Sequence, residues 1–195
     1  LKQHKEYHIA EGKKYYSTIR ATNPYDLPPL ERAARFIYLN KTCFNGLYRV
    51  NSQGQFNVPM GSYKNPDIIQ DEKLRVIATL LKNVTIKVMS FEKVVDVAQT
   101  GDFVYLDPPY YPLQKGKSFT TYTKDNFLEA EQKILADVFK KLDKKGCLVM
   151  ESNSATKFIK ELYSEFNIMV VKAKRMINCD GSKRGKINEY VITNY

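Results

Sequence analysis

The residues best suited to chemistry are Asp107, Pro108, Pro109 and Tyr110, which follow the short apolar run Phe103–Leu106. Proline donates no ladder hydrogen bond and fixes its own φ, so two successive prolines end a strand. In open α/β sheets, ligands bind beyond the carboxyl ends of strands. The Asp107 carboxylate and the Pro108 carbonyl are two acceptors on a stiff backbone, and the Tyr110 ring can stack on a flat base. The pattern predicts a holder for the exocyclic amine of an extruded nucleobase; the simpler interpretation is a rigid turn with a packed tyrosine.

The composition is typical of a folded protein, and the net positive charge favours binding to a polyanion. The 195 residues are 43% hydrophobic and 27% charged, which is typical of one large or two small domains. Lys and Arg exceed Asp and Glu by 31 − 21 = 10 residues, which favours a polyanionic partner. No run approaches the roughly 18 apolar residues of a membrane span and no signal peptide opens the chain, so we expect no membrane partner.

Cysteine, histidine and glycine usage narrows the chemistry further. The three cysteines are far apart, which argues against a disulfide framework or a zinc site and favours a reducing, cytoplasmic setting. His4 and His8 lie one helical turn apart without a third ligand, so we expect surface residues and no bound metal. No glycine-rich cofactor loop occurs, so either no such cofactor binds or the beginning of the fold lies outside this sequence.

The spacing of apolar and turn residues predicts two different parts. In the first, residues 1–20 and 30–44 are typical of helices, residues 48–58 of a β-hairpin around Gly54, and a further helix runs to about residue 81. In the second, we expect strands at 84–89, 103–106, 147–150, 168–171 and 189–193, with helices at 91–98, 124–142 and 155–164. The run 103–106 is typical of a buried strand in a parallel sheet. The alternation predicts an α/β layered fold behind a helical and hairpin insertion.

Several ordered stretches together resemble the Dam-type DNA adenine-N6 methyltransferases (D12 class, alpha group). Residues 107–110 match the catalytic motif of that family, and residues 119–122, 151–154 and 189–195 are similar to its later motifs. Residues 35–40, 44–51 and 54–63 resemble its target-recognition domain. Such enzymes begin with a glycine loop that holds S-adenosylmethionine, and this sequence has no such loop and no tryptophan.

The resemblance implies an organisation and an activity. Residues 70–195 would form a Rossmann-like, S-adenosylmethionine-dependent methyltransferase sheet, incomplete at its amino-terminal side, and residues 1–69 a helical and β-hairpin target-recognition domain. The expected reaction is methyl transfer from S-adenosylmethionine to N6 of a flipped adenine in double-stranded DNA, with GATC as the target. We expect a monomer that acts on DNA in a bacterial or phage-infected cytoplasm. A methyltransferase for RNA, or an inactive DNA-binding fragment, are the alternatives.

The resemblance also assigns roles to single residues. Asp107 and the Pro108 carbonyl would accept hydrogen bonds from the adenine amine, with Pro109 completing the motif and Tyr110 stacking on the base. Asp107, Ser90 and Phe91 would contact the cofactor, although Phe91 equally fits a core residue.

DNA contacts are expected from the hairpin and from two loops. Arg49 is suited to a bidentate contact with guanine, although an exposed arginine on a hairpin is the plainer interpretation. Phe44 matches an aromatic residue that wedges into the base stack, unless it is a core residue. The loop 111–123 could close over the pocket, or could simply be a flexible basic loop. The residues assigned to DNA are Phe44, Asn45, Leu47, Arg49, Asn51, Pro59, Phe119, Tyr122, Lys183 and Arg184.

Overall fold

The structure, a computed structural model, describes residues 1–113, 127–174 and 186–195. The chain divides into two compact units, Leu1–Ile86 and Lys87–Tyr195. This division lies later in the chain than the boundary expected between residues 69 and 70. The assignment of target recognition to residues 1–69 and catalysis to residues 70–195 stays a prediction.

The first unit is helical. Its helices are α1 (Lys2–Glu11), α2 (Lys13–Ala21), α3 (Pro29–Thr42) and α4 (Asp71–Leu80), with 3₁₀ turns at Pro24–Asp26, Phe44–Gly46 and Leu81–Asn83. Gly12, at φ 53°, divides the predicted first helix into α1 and α2. Proline at the first position of α3 fits a helix start, because its missing N–H would have no partner there. The core includes Tyr16, Tyr38, Leu39 and Ile68.

Two histidines of α1 join this core. His4 Nδ1 lies 2.8 Å from the Tyr15 hydroxyl, and His8 Nδ1 lies 3.0 Å from the Tyr38 hydroxyl. Burial lowers the pKa of both imidazoles, which favours their neutral forms. Both rings are half-buried partners of tyrosines, where the sequence predicted surface residues.

The predicted hairpin is present in a reduced form. A single bridge joins Val50 to Phe56, and the Asn57 amide donates to the Arg49 carbonyl over 3.0 Å. The Asn51 side chain accepts hydrogen bonds from the amides of Gln53 and Gln55, at 3.0 and 2.9 Å. Because the Asn51 side chain accepts these hydrogen bonds, the two amides have a partner without the backbone ladder of a longer hairpin.

The second unit is built on a four-stranded mixed sheet with the order β1-β2-β4-β3. Its strands are β1 (Phe103–Leu106), β2 (Leu148–Ser154), β3 (Asn167–Lys174) and β4 (Lys186–Thr193), and its helices are α5 (Val94–Val97), α6 (Glu129–Lys144) and α7 (Lys157–Leu162), with a 3₁₀ turn at Phe91–Lys93. β1 and β2 are parallel, whereas β4 runs antiparallel to both β2 and β3. The predicted α/β class is confirmed at this level.

Residues 103–106 were expected to form a strand that is buried on both faces, and this expectation is wrong for one face of the strand. Val104 and Leu106 face the core that α6 and α7 share with the sheet, but Phe103 and Tyr105 are 57% and 53% exposed. Among the described strands, β1 pairs only with β2 and so lies at the edge of the sheet. The apolar run is therefore covered on one face only.

The strand predicted at residues 84–89 is also absent. This segment holds no assigned strand and is exposed, Ile86 by 74%. A strand requires a hydrogen-bonding neighbour, and no part of the chain that the structure describes pairs with it. The helix expected at residues 91–98 is reduced to the 3₁₀ turn and the short α5.

None of the helices in the described ranges combines the length and apolarity needed to cross a bilayer. No group of three or more His, Cys, Asp or Glu side chains in residues 1–113, 127–174 and 186–195 is arranged to hold a metal ion. Cys43 and Cys147 are buried free thiols.

Candidate active site

The parallel pairing of β1 and β2 brings the ends of both strands together. Leu106 pairs with Glu151, so Asp107 and Ser152 are the next residues on each chain. Ser152 Oγ donates to Asp107 Oδ1 over 3.2 Å and lies 2.8 Å from the Tyr105 hydroxyl. Since the single Ser152 proton goes to Asp107, the Tyr105 hydroxyl donates to Ser152. This relay orients the Asp107 carboxylate and leaves most of its acceptor sites free.

The rest of the motif follows Asp107 at the same edge. Asp107 and Pro109 are exposed, and Pro108 and Tyr110 are half-buried. Burial raises the pKa of Tyr110, Ser152 acts in the opposite direction, and the negative charges of Glu189 and Asp107 add to the increase. The phenol therefore stays neutral, and its ring remains partly accessible to a ligand.

Two buried amide side chains contact the motif backbone. Asn153 Oδ1 accepts from the Tyr111 amide over 3.1 Å, and Gln132 Nε2 donates to the Pro109 carbonyl over 3.0 Å. The two amides are joined by a 3.0 Å hydrogen bond from Asn153 Nδ2 to Gln132 Oε1. Gln132 comes from α6 and Asn153 from β2, so two elements hold the segment that follows β1.

A carboxyl group lies beneath these amides. Glu151 is fully buried, and its Oε1 accepts from Asn153 Nδ2 over 3.0 Å. Its Oε2 and the hydroxyl of buried Tyr163 have no hydrogen bond of good geometry to a described residue, although Tyr163 is close enough to act on the pKa of Glu151. Burial raises the pKa of Glu151 to about 7, against the opposing effects of Tyr163 and Asn153.

The residues assigned to the cofactor lie in the same unit as the motif. Ser90 caps the 3₁₀ turn Phe91–Lys93, and its hydroxyl donates to Glu92. Phe91 is half-buried and meets Phe127 edge-on, with 5.6 Å between ring centroids. Phe91 packs against the core cluster, and its contact with a cofactor stays a prediction.

In the first unit, Arg49 is the most informative of the predicted DNA contacts. Arg49 is exposed, and its Nε donates to Asn57 Oδ1 over 2.8 Å. Its two terminal nitrogens make no hydrogen bond to a described residue. Terminal N–H groups that are not engaged can donate together to the O6 and N7 atoms of guanine.

The other predicted DNA contacts in the first unit differ in exposure. Phe44 is 51% exposed, and Asn45 has a positive φ of 54° in the turn beside it. Pro59 is exposed and accepts from the Phe44 amide, whereas Leu47 packs against the core. The Asn51 side chain is engaged inside the hairpin turn. Phe119, Tyr122, Lys183 and Arg184 lie outside the described residues.

Sequence reasoning did not single out several residues that organise these sites. They are Gln132, Ser152 and Asn153 around the motif and Asn57 beside Arg49. Signals existed for Asn153 and Gln132. Asn153 lies in the polar run 151–154 at the end of an apolar strand. Gln132 falls between Leu128, Leu135 and Phe139 on the apolar stripe of α6, where a polar residue needs a partner.

The Asp107–Tyr110 motif, which the sequence resemblance assigns to adenine methyltransferases, directly follows β1 at the edge where β2 also ends. The family model for D12 class N6 adenine-specific DNA methyltransferases matches residues 1–177, and the chain belongs to this family.

Named relatives agree with this assignment. The chain is 48% identical over 190 residues to the type II methyltransferase M1.LlaDCHI of Lactococcus lactis subsp. cremoris, covering 94% of the chain and 67% of the relative. It is 50% identical over 188 residues to the type II methyltransferase M.MjaIII of Methanocaldococcus jannaschii, covering 94% and 65%. It is 38% identical over 178 residues to the DNA adenine methylase of Haemophilus influenzae, covering 91% and 62%. The chain thus spans about two thirds of the length of these relatives.

Proposed function

We propose that this chain is part of an enzyme that transfers a methyl group from S-adenosylmethionine to N6 of a flipped adenine in duplex DNA. The observation that carries the proposal is the exposed Asp107 carboxylate, oriented by Ser152 at the joined ends of β1 and β2 in a chain of this family. We place its action on bacterial or phage DNA in the cytoplasm, and we infer GATC as the target.

The motif residues act on the adenine amine. The N6 lone pair of adenine is delocalised into the ring and is a weak nucleophile. Asp107 and the Pro108 carbonyl would accept hydrogen bonds from its two N–H groups, which favours a tetrahedral nitrogen whose lone pair can react. The N6–carbon bond would form as the methyl–sulfur bond breaks, with the neutral thioether as the leaving group, and the proton lost from N6 would pass to solvent. The Tyr110 ring stacks on the base, and this contact offsets part of the few kcal/mol that unstacking costs. Positioning and electrostatic stabilisation supply the catalysis, and no covalent enzyme intermediate forms.

Asp107 also fits a place in a cofactor site. Its carboxylate accepts one hydrogen bond from Ser152, so lone pairs remain for a cationic ligand. Phe91 is half-buried and keeps part of its ring available to the adenine of a cofactor. Bound S-adenosylmethionine supplies an electrophilic methyl group on a sulfonium centre. We further propose that the sheet belongs to a Rossmann-like fold, because α6 connects the parallel neighbours β1 and β2.

We propose that Arg49 recognises a guanine and that Asn57 holds Arg49 in place. The hydrogen bond from Arg49 Nε to Asn57 Oδ1 restrains the side chain and leaves its two terminal nitrogens without a partner among the described residues. Arg49→Ala is expected to cost about 1–3 kcal/mol of discrimination at one guanine of the target. Asn57→Ala is expected to lose a smaller part of that discrimination, because it removes the support and leaves the contact group.

Competition binding with duplexes that carry inosine or adenine at each guanine position measures this discrimination. Arg75→Ala in α4 is the matched control, because Arg75 is an exposed arginine of the same unit whose described partner is Asp71 of its own helix. If Arg49→Ala keeps the sequence preference of the wild type, the hairpin has no part in recognition.

The reaction itself is tested on the full-length protein with labelled S-adenosylmethionine. The substrates are a GATC duplex, a scrambled duplex and a single-stranded RNA of the same sequence, and N6-methyladenine is identified by mass spectrometry after nuclease digestion. Product on the GATC duplex alone supports both reaction and target. Equal product on both duplexes keeps the reaction and removes the target; product on RNA alone changes the substrate. No product from the full-length protein overturns the proposal.

A further inference from the structure

Two buried amide side chains, those of Gln132 and Asn153, are hydrogen-bonded to the backbone of the segment that contains Tyr110. We propose that Gln132 and Asn153 are positioning residues that fix Tyr110 and the Pro108 carbonyl for catalysis. The inference rests on the proposed methyl transfer and adds residues that the catalytic motif does not contain. Neither side chain is exposed, since both have a relative accessibility of 0%, so their role is to act through the backbone that they contact.

Backbone groups at both ends of the network fix the orientation of the two amides. Asn153 Oδ1 accepts from two backbone amides, those of Tyr111 and Ser154, at 3.1 and 2.9 Å. Because a backbone N–H can only donate, Asn153 must turn its oxygen toward them and its NH₂ toward Gln132 and Glu151. Gln132 then accepts with its oxygen, and its NH₂ donates to the Pro109 carbonyl, which can only accept.

The two contacts enclose Tyr110. The Pro109 carbonyl belongs to the peptide group before Tyr110, and the Tyr111 amide to the peptide group after it. Holding both peptide groups fixes the backbone that carries the Tyr110 ring, and the stiffness of Pro109 transmits this restraint to the adjacent Pro108 carbonyl. A displacement of about 1 Å in a positioned reacting group can lower a rate about 100-fold.

Loss of either amide has no local substitute. Gln132 and Asn153 are buried, so deletion of the Gln132 amide leaves the Asn153 NH₂ group without this acceptor and away from water. The Pro109 carbonyl then loses the hydrogen bond that ties it to α6, and the exposed Pro109 segment can move toward solvent. A positioning role therefore predicts that the segment moves and that kcat falls, whereas a role in stability alone predicts neither change in the folded variant.

The test uses Gln132→Met in the full-length protein, because methionine keeps the length of the side chain and removes both hydrogen bonds. We expect kcat for methyl transfer to fall about 10- to 100-fold, with KM for DNA within about 3-fold of wild type. Gln99→Met is the matched control, because Gln99 is exposed in the same unit, and its kcat is expected to equal that of the wild type. An unchanged kcat for Gln132→Met, assayed where the variant is folded, overturns the inference.

Gln132→Glu gives a conservative rescue. A protonated carboxyl can donate to the Pro109 carbonyl and accept from Asn153, as the Gln132 amide does. An ionised carboxyl has no proton to donate and repels the Pro109 carbonyl. The activity of this variant relative to wild type is expected to rise as the pH falls. Glu151 is hydrogen-bonded to Asn153, Tyr163 acts on the pKa of Glu151, and Glu129 is hydrogen-bonded to the Tyr111 hydroxyl. All three groups are present in wild type as well, so the variant is compared with wild type at each pH. A ratio that does not change with pH contradicts the inference.

Hydrogen exchange provides a readout that does not depend on the reaction. Deuterium uptake by the peptide containing the Tyr110 and Tyr111 amides is expected to be several-fold faster in Gln132→Met than in wild type or Gln99→Met. Unchanged uptake overturns the inference even if the enzyme is active. An inactive wild type overturns the proposed function instead, and the exchange comparison still decides whether the amides hold the segment.

Discussion

Asp107→Ala is expected to lower kcat for methyl transfer by at least about 100- to 1000-fold, while duplex binding stays within a few-fold of wild type. The carboxylate is the one charged acceptor of the motif, and it is exposed at the end of β1. Its loss leaves the adenine amine with the Pro108 carbonyl alone. Folding should be preserved, because Asp107 has a single described hydrogen bond, to Ser152, and no buried partner charge.

Single-turnover methyl transfer and fluorescence anisotropy on the same duplex separate the two effects. Asp96→Ala is the matched control, since Asp96 is an exposed aspartate of the same unit whose one ion pair within the described ranges is with Lys93, at 3.6 Å. An exposed ion pair contributes little, so this variant is expected to behave as wild type. Equal loss of binding and transfer in Asp107→Ala would sink the assigned role, because it would point to a general defect of the site.

The position of the catalytic segment was predictable from the sequence because its causes are local. A short apolar run followed by an acid and two prolines fixes a strand end, whatever surrounds it. The parallel neighbour β2 and the helix α6 between them were also predictable from their periodicity. The second face of β1 can be covered only by segments that are distant in sequence. The exposure of Phe103 and Tyr105 was therefore not predictable from the apolar run itself.

The supporting residues were hidden for a related reason. Gln132 and Asn153 lie 21 positions apart in sequence, and each is an ordinary polar residue until the fold joins them. Gln132 within the apolar stripe of α6 was the readable sign. For Asn153, the sign was a run of four polar residues, 151–154, at the end of a strand whose preceding residues are apolar. Asn57 had no such sign, because its role depends on the register of the hairpin.

Beneath the same network, Glu151 makes the stability of the fold depend on pH. Its pKa is raised to about 7 in the folded protein, from 4.5 as the usual value, because burial disfavours the ionised form. Between pH 4.5 and about 7, the folded state therefore keeps a proton on Glu151 that the unfolded state has already released. The stabilisation is complete below pH 4.5 and is lost as the pH rises through about 7, by about 3 kcal/mol in total at 1.36 kcal/mol per pKa unit.

Glu151→Gln should remove this dependence. The amide resembles the protonated carboxyl, since it accepts from Asn153 and can donate to the Tyr163 hydroxyl. We expect the free energy of unfolding of the variant to lie within about 1 kcal/mol of wild type at pH 5 and to exceed it by about 3 kcal/mol at pH 9. Urea unfolding at both pH values measures the difference.

Glu161→Gln is the matched control, because Glu161 is an exposed carboxylate in α7 that pairs with Lys157 at 3.6 Å and with no other residue that the structure describes. His4 and His8 act in the opposite direction: burial lowers their pKa, so they make the fold less stable as the pH falls below about 6.5. Both histidines are present in wild type and variant, and their contribution cancels in the difference. A difference between Glu151→Gln and wild type that stays constant from pH 5 to pH 9 would mean that Glu151 is already ionised in the folded protein throughout that range. The amides above it would then rest on a permanent buried charge.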